Sequence, residues 1–281
     1  MNYHETSQIA LLIPVYNAQE ELERSIQSLP SDDEAVHIVV VDDGSVPRIE
    51  PPTPPDPHTL TLLRLDTNQG IEAALNYGLK WILEREFPYV ARLDAGDVSL
   101  SGRFRKQKRF LEEHPECRLV GGQALIADPA GEVVARCHYP IDPGRIKRVM
   151  HYRNCFAHPA VMLRSEVFTT TGLYREDYPA AEDYELFWRV VRGSCAANLD
   201  TYVVQYVADP DGISLTRRRK QLLSGLRLML HHFDFFAYES YIGIIKNLLL
   251  LLLPSSVNWA IKRNFCAKAG VSDLKVSEQD H

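Results

Sequence analysis

Residues 36–45 read VHIVVVDDGS, an apolar run that ends in the adjacent carboxylates of Asp42 and Asp43. Residues 89–97 read YVARLDAGD, a second apolar run, and this one ends in Asp94 and Asp97. Apolar runs without alternation are typical of strands that are covered on both faces in a parallel sheet. In open α/β sheets, ligands bind beyond the carboxyl ends of the strands, where carboxylates can hold a nucleotide through a divalent cation. The two stretches therefore predict an acidic site at one edge of an α/β sheet.

Strands and helices alternate around these two stretches. Strands are predicted at residues 9–15, 36–41, 60–65 and 89–93, and helices at residues 18–29 and 71–85. This alternation implies right-handed βαβ crossovers. The six prolines between residues 47 and 57 cannot donate ladder hydrogen bonds, so an extended surface loop is expected there.

Beyond residue 100 the pattern becomes mixed. It predicts a helix at 101–113, a hairpin of 119–126 with 133–139, a short strand at 160–163, a helix at 183–191, a strand at 202–207 and two helices after 216. The expected fold class is therefore α/β, followed by a helical C-terminal part.

The composition excludes several classes of protein. With 281 residues, 45% of them apolar and 24% charged, the chain is long and apolar enough to bury a sizeable core, which excludes a disordered or fibrous protein. Its formal net charge of -6 gives no basic surface for a nucleic-acid backbone. No G-x-G-x-x-G follows the first strand, which argues against a nicotinamide enzyme.

The cysteines and the apolar segments indicate where the protein works. Five cysteines, odd in number and without a C-x-x-C pair, predict neither a disulfide framework nor a zinc site and favour a reducing cytosol. Residues 1–8 lack the pattern of a signal peptide. The apolar stretch at 241–253 is shorter than the roughly 20 residues that span a bilayer.

Seven short motifs, taken in order, resemble those of family 2 glycosyltransferases with the GT-A fold. The resemblance runs from about Ile9 to about Ser214. The matching segments are residues 13–17 (IPVYN), 41–45 (VDDGS), 68–76 (NQGIEAALN), 91–97 (ARLDAGD) with Arg103 and Gln107, 120–122 (VGG), 158–162 (HPAVM) and 181–186 (AEDYEL). No single segment would suffice, whereas the ordered set identifies the chain as similar to this family.

The resemblance implies a two-part organisation. Residues 1–215 would form a GT-A domain, with a Rossmann-like, mostly parallel central sheet flanked by helices, that binds a nucleotide sugar and carries the catalytic residues. Residues 216–281 would form a C-terminal helical extension. The basic run at 217–220 beside apolar helical segments suits an interfacial helix on anionic lipid. The alternative is that these helices pack on the catalytic domain or on a second subunit.

The resemblance also implies a set of donor-binding residues. The expected nucleotide-sugar-binding residues are Pro14, Tyr16, Asn17, Asp42, Asp43, Asn68, Gly70, Arg92, Asp94, Arg103 and Glu182. Asp42 or Asp43 would accept a hydrogen bond from a nucleobase N–H, although Asp-Asp-Gly-Ser alone is also a common tight turn. Arg103 would pair with phosphate or hold Asp94.

Asp94 and Asp97 are the candidate ligands for a Mg²⁺ or Mn²⁺ ion that bridges the two phosphates of the donor. The family's usual motif is Asp-x-Asp-Asp, but this chain has Gly96 at the third position, which leaves the second ligand open. The alternative is a turn in which Gly96 adopts a left-handed conformation and Asp97 caps the next helix.

The resemblance makes Asp183 the general base that deprotonates the acceptor hydroxyl in an inverting transfer. The alternative is a helix N-cap. His158 matches the family pattern, yet a lone histidine among apolar residues is more often a hydrogen-bonded core residue. Many relatives carry His at the position of Asp209, where this chain could offer only a carboxylate.

These observations predict a cytoplasmic, membrane-peripheral, metal-dependent enzyme. It would transfer a sugar from a nucleoside diphosphate sugar to a glycan or lipid-linked oligosaccharide in surface polysaccharide synthesis, with a homodimer as a further possible assembly and no nucleic-acid partner. Two alternatives stay open. One is a non-catalytic glycosyltransferase-like subunit that binds nucleotide or glycan, and the other is a haloacid-dehalogenase-like phosphatase, which residues 39–45 resemble faintly.

Overall fold

The computed structural model describes residues 7–128, 130–207 and 218–253. Its first part alternates strands and helices as the sequence predicts. The elements are β1 (Ile9–Val15), α1 (Gln19–Gln27), β2 (Val36–Asp42), β3 (Thr59–Arg64), α2 (Ile71–Leu83) and β4 (Tyr89–Arg92). The proline-rich segment between β2 and β3 is a loop, as expected.

The second part mixes short elements with two long strands. The elements are β5 (Val98–Ser99), α3 (Arg103–Glu113), β6 (Cys117–Ala127), β7 (Val133–Cys137), α4 (Pro143–Val149), a 3-10 turn (His158–Ala160), β8 (Met162–Arg164), α5 (Glu166–Thr171), α6 (Glu182–Gly193), β9 (Cys195–Val207), α7 (Arg218–His231) and α8 (Tyr238–Leu252). The predicted hairpin of β6 and β7 and the two late helices are confirmed.

One sheet contains all nine described strands, in the order β3-β2-β1-β4-β8-β6-β9-β5, with β7 paired to β6. The first four strands are parallel to one another, as are β6 and β9, while β8 and β5 pair antiparallel to their neighbours. The predicted α/β fold class is confirmed. Since β2 and β4 flank β1 in parallel, Asp42 and the residues after Arg92 lie at the same edge of the sheet.

Both faces of β1, β2 and β4 are buried, which explains their largely apolar sequences, whereas β3 at the edge of the sheet is only partly buried. In β1, Ile9, Leu11 and Ile13 pack in one apolar layer, while Ala10 and Leu12 pack in the other. Successive strand side chains point to opposite faces, so α1 covers one layer and α2 the other. The sheet is therefore held rigidly between helices, with its carboxyl edge free for a site.

Helix α2 lies unusually close to the sheet at Gly78. A Cβ at this position would overlap Cδ1 of Leu12 and lie 2.8 Å from Cγ2 of Val41. The glycine lets the backbone of α2 approach β1 and β2, and so fixes the height of the loops at the strand ends.

The structure corrects the cysteine prediction. Cys117 and Cys195 form a disulfide between Cα atoms 4.2 Å apart, whereas no disulfide was expected. The two residues are 78 positions apart in the sequence, and the parallel pairing of β6 with β9 places them in register. The spacing of the cysteines in the sequence does not reveal this strand register, so the disulfide could not be predicted from it.

Helices α7 and α8 follow the last strand of the sheet in the sequence. No helix of the described residues is both long and apolar enough to cross a membrane. The predicted boundary at residues 215 and 216 lies outside the described residues, so the division into two domains stays a prediction.

Candidate active site

Asp42, at the end of β2, holds its own turn. Its Oδ1 accepts a hydrogen bond from the backbone N–H of Ser45 at 2.9 Å, and its Oδ2 forms an ion pair with Arg64 of β3. The Arg64 guanidinium also donates to the carbonyl of Ser45 at 2.9 Å. The buried carboxylate therefore fastens the loop after β2 to the neighbouring strand.

Asp43 ties this turn to the loop before α2. Its two oxygens accept from the N–H groups of Gln69 at 2.7 Å and Gly70 at 3.0 Å. Burial raises the pKa of Asp43, and the two N–H donors oppose that rise. Gly44 has a φ of +74°, and a Cβ there would overlap the backbone of Thr67, so the turn requires glycine. The segment is thus a bend that requires glycine, and base recognition by either carboxylate stays a prediction.

The rim of this edge carries polar and aromatic side chains. Tyr16 is half exposed and follows Pro14 at the end of β1. Asn17 has a φ of +52°; its N–H donates to Oγ of Ser45 at 2.8 Å and its Oδ1 accepts from the next residue of that turn at 2.9 Å. Asn68 is exposed in the loop before α2. These residues are accessible to a ligand, and donor binding by them stays a prediction.

Arg92, the last residue of β4, is buried and internally bonded. Its guanidinium donates to the carbonyls of Leu12 at 3.0 Å and Leu93 at 2.9 Å, to Nε2 of His158 at 3.3 Å, and to Asp94 in an ion pair. Although burial alone would raise the pKa of Asp94, the positive charge of Arg92 lowers it. Arg92 thus keeps Asp94 ionised, and direct donor binding by Arg92 stays a prediction.

His158 is a neutral hydrogen-bond acceptor. Its Nε2 receives the Arg92 guanidinium N–H and lies 2.8 Å from the hydroxyl of Tyr174. Burial and the charge of Arg92 lower the pKa of His158 to about 3. The core interpretation of His158 fits this geometry.

Asp94 and Asp97 lie on one tight turn. The N–H of Asp97 donates to the carbonyl of Asp94 at 3.1 Å, and Gly96 adopts a φ of +100°. Burial and the negative charge of Asp94 raise the pKa of Asp97 well above its ordinary value. The positive φ of Gly96 agrees with the turn that the sequence analysis considered as an alternative.

The helix-capping role considered for Asp97 is wrong. The N-cap of α3 is Gly102, without a side-chain cap, and the first-turn N–H groups of Phe104 and Arg105 bind Asp33 at 3.0 Å instead. A carboxylate from the loop before β2 thus takes the position that spacing assigned to Asp97.

Arg103 lies beneath the same turn and is fully buried. It donates to the carbonyl of Arg92 at 2.6 Å and to Oε1 of Gln107 at 3.1 Å. Burial lowers its pKa to about 9, while the negative charge of Asp97 opposes that shift. The guanidinium interacts electrostatically with Asp97 rather than pairing with Asp94, and phosphate binding by Arg103 stays a prediction.

The donor set at this turn is compatible with a hard divalent cation. One oxygen of Asp94 is engaged by Arg92, but the Asp94 side chain is 39% exposed. The carboxyl group of Asp97 is close enough that the negative charge of Asp94 raises its pKa. Carboxylate oxygens are the ligands that Mg²⁺ and Mn²⁺ prefer. Asp94 and Asp97 would supply two protein ligands, and Asp209 lies outside the described residues.

Asp183 is the second residue of α6 and faces this turn. Its Oδ2 accepts from Nδ2 of Asn154 at 2.8 Å, and its Oδ1 accepts from the N–H of Tyr184 at 2.7 Å. The helix N-cap is Ala181, so Asp183 is not the N-cap that the alternative supposed. Burial raises the pKa of Asp183 to about 6, and the negative charge of Asp94 adds to the rise.

Glu182 directly precedes Asp183 in the sequence and is 7% exposed. Its Oε2 is buried without a hydrogen-bond partner among the described residues. Burial raises its pKa to about 8, and the charge of Asp183 adds to the rise. Glu182 is therefore protonated at neutral pH.

Four of the predicted site residues thus lie close enough together for their charges to interact. The charges of Asp94, Arg92, Glu182 and Asp183 all act on one another or on Tyr174, which lies among them. Asp42 and Asp43 stand at the same sheet edge, but their described contacts are with Arg64 of β3 and with the loops after β2 and β3.

Sequence reasoning missed three residues of the site. Asn154 holds Asp183, Tyr174 bonds His158, and Arg64 neutralises Asp42. Asn76, which belongs to a recognised motif, exchanges hydrogen bonds of 2.9 Å with the backbone of Tyr174 and so positions it. Of these residues, only Asn76 belongs to a motif that the sequence analysis recognised.

Known proteins with similar sequences are glycosyltransferases. The amylovoran biosynthesis glycosyltransferase AmsE of Erwinia amylovora is 29% identical over 226 residues, which cover 78% of this chain and 83% of the relative. The O-antigen biosynthesis glycosyltransferase WbnJ of Escherichia coli is 30% identical over 118 residues, covering 42% of this chain and 44% of WbnJ.

Solved structures with the same fold include two glycosyltransferases in complex with nucleotide sugars. The mannosyltransferase PcManGT from Pyrobaculum calidifontis, in complex with GDP-Man and Mn²⁺, superposes with a TM-score of 0.56 at 17% identity over 94% of this chain and 76% of that chain. S. aureus TarS 1-349 in complex with UDP-GlcNAc gives 0.56 at 16% identity over 85% of this chain and 71% of that chain. These neighbours confirm the predicted GT-A fold. The model of glycosyl transferase family 2 matches residues 10–167, more than half of the sequence, and the chain belongs to that family.

Proposed function

We propose that this protein is an inverting, metal-dependent glycosyltransferase that transfers a sugar from a nucleoside diphosphate sugar to a hydroxyl group. The observation that carries the proposal is that Asp183, oriented by Asn154 and by the N–H of Tyr184 at the start of α6, lies near enough to Asp94 for the charge of Asp94 to add to the rise in its pKa that burial causes. Family membership supplies the reaction class, and this pair supplies a base opposite a cation-binding turn.

Asp183 is the proposed general base. A carboxylate with a pKa of about 6 is ionised at neutral pH, yet it is a stronger base than an ordinary aspartate. It takes the proton of the acceptor hydroxyl while that oxygen bonds to the anomeric carbon. The bond from the anomeric carbon to the diphosphate oxygen breaks on the opposite side, so the configuration inverts.

Asp94 and Asp97 are the proposed ligands of Mg²⁺ or Mn²⁺. The ion, when bound, neutralises the charge of the diphosphate. Arg92 holds Asp94 through an ion pair and keeps it ionised, which preserves a ligand for that role. The bound Mn²⁺ of PcManGT supports the choice of cation class.

Glu182 is proposed to contact a ligand as a neutral acid. Its buried Oε2 without a partner can donate to, or accept from, a sugar hydroxyl. The exposed Tyr16, Asn17 and Asn68 are proposed to line the nucleoside, with Asp42 and Asp43 fixing their loops.

The proposed acceptor is a glycan or lipid-linked oligosaccharide in surface polysaccharide synthesis. The printed functions of AmsE and WbnJ, in amylovoran and O-antigen biosynthesis, support this context. We place the enzyme in the cytoplasm, at the inner face of the membrane, on the biosynthetic context of these relatives alone, because the Cys117–Cys195 disulfide removes the cysteine argument for a reducing compartment. A homodimer is kept as the alternative use of α7 and α8.

The outer face of α8 supports the membrane proposal. Its exposed apolar residues recur at helical spacing, and they are Tyr238, Tyr241, Ile242, Ile245, Leu248, Leu249 and Leu252. Arg219 and Lys220 are exposed at the start of α7. Apolar and cationic side chains together suit an anionic lipid surface. Sedimentation with anionic vesicles, but not with neutral ones, is expected; a stable dimer without vesicle binding would favour the subunit interface instead.

Substitution of Asp183 tests the central proposal. Asp183→Asn keeps the shape and removes the base, so turnover should fall by at least 10³-fold, on the order expected for loss of a general base. Binding of the nucleoside diphosphate with Mn²⁺, measured by calorimetry, should stay within about threefold of wild type. Normal turnover by Asp183→Asn would refute the assignment.

The alternative of a binding subunit is motivated by Gly96, which replaces an acidic residue of the usual motif, and by Asp209, where many relatives carry His. Calorimetry with nucleoside diphosphate sugars separates the two. Binding without release of nucleoside diphosphate, over a panel of acceptors, would favour the subunit.

A further inference from the structure

Asn154 presents its amide to the proposed base in a fixed orientation. Its Oδ1 accepts from the N–H of Phe156 at 3.1 Å, which leaves Nδ2 to donate to Oδ2 of Asp183 at 2.8 Å. Because the amide oxygen is already engaged by a donor, the side chain cannot flip without losing both bonds. Asn154 therefore sets the rotamer of Asp183 and stabilises its ionised form.

The loop that carries Asn154 is pressed against α8. A Cβ on Gly243 would overlap the carbonyl oxygen of His151 and lie 3.0 Å from Cα of Tyr152. Oγ of Ser240 lies 2.8 Å from Nδ1 of His151, and Nζ of Lys246 donates to the carbonyl of Tyr152 at 3.4 Å. Three positions along α8 thus contact His151 and Tyr152, which lie three and two residues before Asn154; Gly243 and Lys246 meet their backbone, and Ser240 meets the imidazole of His151.

Helix α7 contacts the segment that leads into α6, the helix that carries Asp183. Oγ of Ser224 donates to the carbonyl of Pro179 at 2.9 Å, and Arg227 donates to the carbonyl of Asp177 at 3.0 Å. The segment from 177 to 181 leads directly into Glu182 and Asp183. At the far end of α7, His232 stacks on Trp188 of α6, with ring centroids 4.6 Å apart.

We propose that Asn154 is the positioning residue of the base and that α7 and α8 hold the Asn154 loop and the start of α6 in register. This rests on the proposed function, since it assigns a role toward the base Asp183. The C-terminal helices, which lie beyond the residues matched by the family model, would then complete the acceptor side of the active site.

Two variants of Asn154 test the positioning role through the pH profile. Among the described residues, the charged and titratable groups that interact with Asp183 include Asp94, Arg92, Glu182, Tyr174 and Tyr184. Asn154→Ala removes a donor to the carboxylate, so the acidic limb of kcat/KM should move up by about one pH unit. Asn154→Asp adds a like charge and should move it further. The order wild type, Ala, Asp is not expected from a loss of folding alone.

A glycine pair tests the role of the helices. Gly243→Ala pushes α8 away from the loop, and we expect kcat to fall at least tenfold with donor KM within about twofold. Gly225→Ala, in α7, is the matched control, because its Cβ would meet only Oδ1 of Asn247, at 3.8 Å. It should retain wild-type kcat. Thermal melting of each variant checks that it is folded.

The outcomes separate this inference from the proposed function. If Asp183→Asn is inactive while both Asn154 variants keep the wild-type pH limb and Gly243→Ala keeps wild-type kcat, the positioning proposal is refuted and the base assignment survives. If Asp183→Asn is active, the base assignment itself fails.

Discussion

Glu182 provides a test of the site that needs no substrate. The side chain is 93% buried, and burial together with the charge of Asp183 raises its pKa from 4.5 to about 8. An unfolded chain releases this proton near pH 4.5, whereas the folded protein keeps it until about pH 8. Between these values the folded state binds more protons than the unfolded state, so stability falls as the pH rises, and the full cost is present above pH 8.

The substitution Glu182→Gln removes the ionisation and keeps the shape. A shift of about 3.5 units at about 1.4 kcal/mol each gives a ceiling of roughly 5 kcal/mol. Because Asp183 contributes part of the repulsion, we expect the variant to gain about 2–4 kcal/mol over wild type between pH 5 and pH 9.

Urea unfolding at five pH values, in buffer without divalent cations, measures this gain. Glu20→Gln, the same exchange in the exposed first turn of α1, is the control and should show a flat difference. A difference between Glu182→Gln and wild type that is equal at pH 5 and pH 9 would show that Glu182 is not held as a buried acid.

Three further expectations follow from the same structure. EDTA should abolish sugar transfer and Mn²⁺ or Mg²⁺ should restore it in a nucleotide-release assay; full activity in EDTA would contradict the metal proposal. Gly78→Ala should lose about 1–3 kcal/mol in urea unfolding through overpacking, whereas Gly193→Ala, which meets nothing within 4 Å, should stay within about 0.5 kcal/mol. Thiol titration of the denatured protein should gain two thiols on reduction, from Cys117 and Cys195, and an unchanged count would exclude that disulfide.

The parallel half of the fold was predictable chiefly because β1, β2 and β4 are buried on both faces and therefore have largely apolar sequences. Residues 9–15 are a strand in the sequence and in the structure alike, and β2 to β4 agree within a residue or two. Short elements were missed, namely β5, α4 and α5, since tertiary contacts rather than local patterns define them. The first half of β9 was missed as well. Ala196, Ala197 and Asn198 have weak strand propensity, and they are in a strand because they lie beside residues 119–121 of β6.

The carboxylates of the candidate site could be named from the sequence, whereas the residues that contact them in the structure could not. Strand ends and motif order located Asp42, Asp94 and Asp183. Arg64 reaches Asp42 across 22 residues and Asn154 reaches Asp183 across 29, distances at which spacing carries no information. The capping of α3 by Asp33, 71 residues before Phe104, is a third case.

The distribution of unsatisfied polar atoms argues for where the ligand binds. Among the described residues, five buried side-chain atoms have no hydrogen-bond partner, and two of them, Nη1 of Arg103 and Oε2 of Glu182, belong to the groups whose charges act on Asp94 or Asp97. Each such atom costs about 1–3 kcal/mol, a cost that folded proteins mostly avoid. Keeping the carboxyl of Glu182 buried beside the carboxyl of Asp183 gains nothing for the stability of the free protein. The arrangement makes physical sense where a polyhydroxylated, charged substrate completes the missing bonds, because the same groups that destabilise the free protein then contribute to binding.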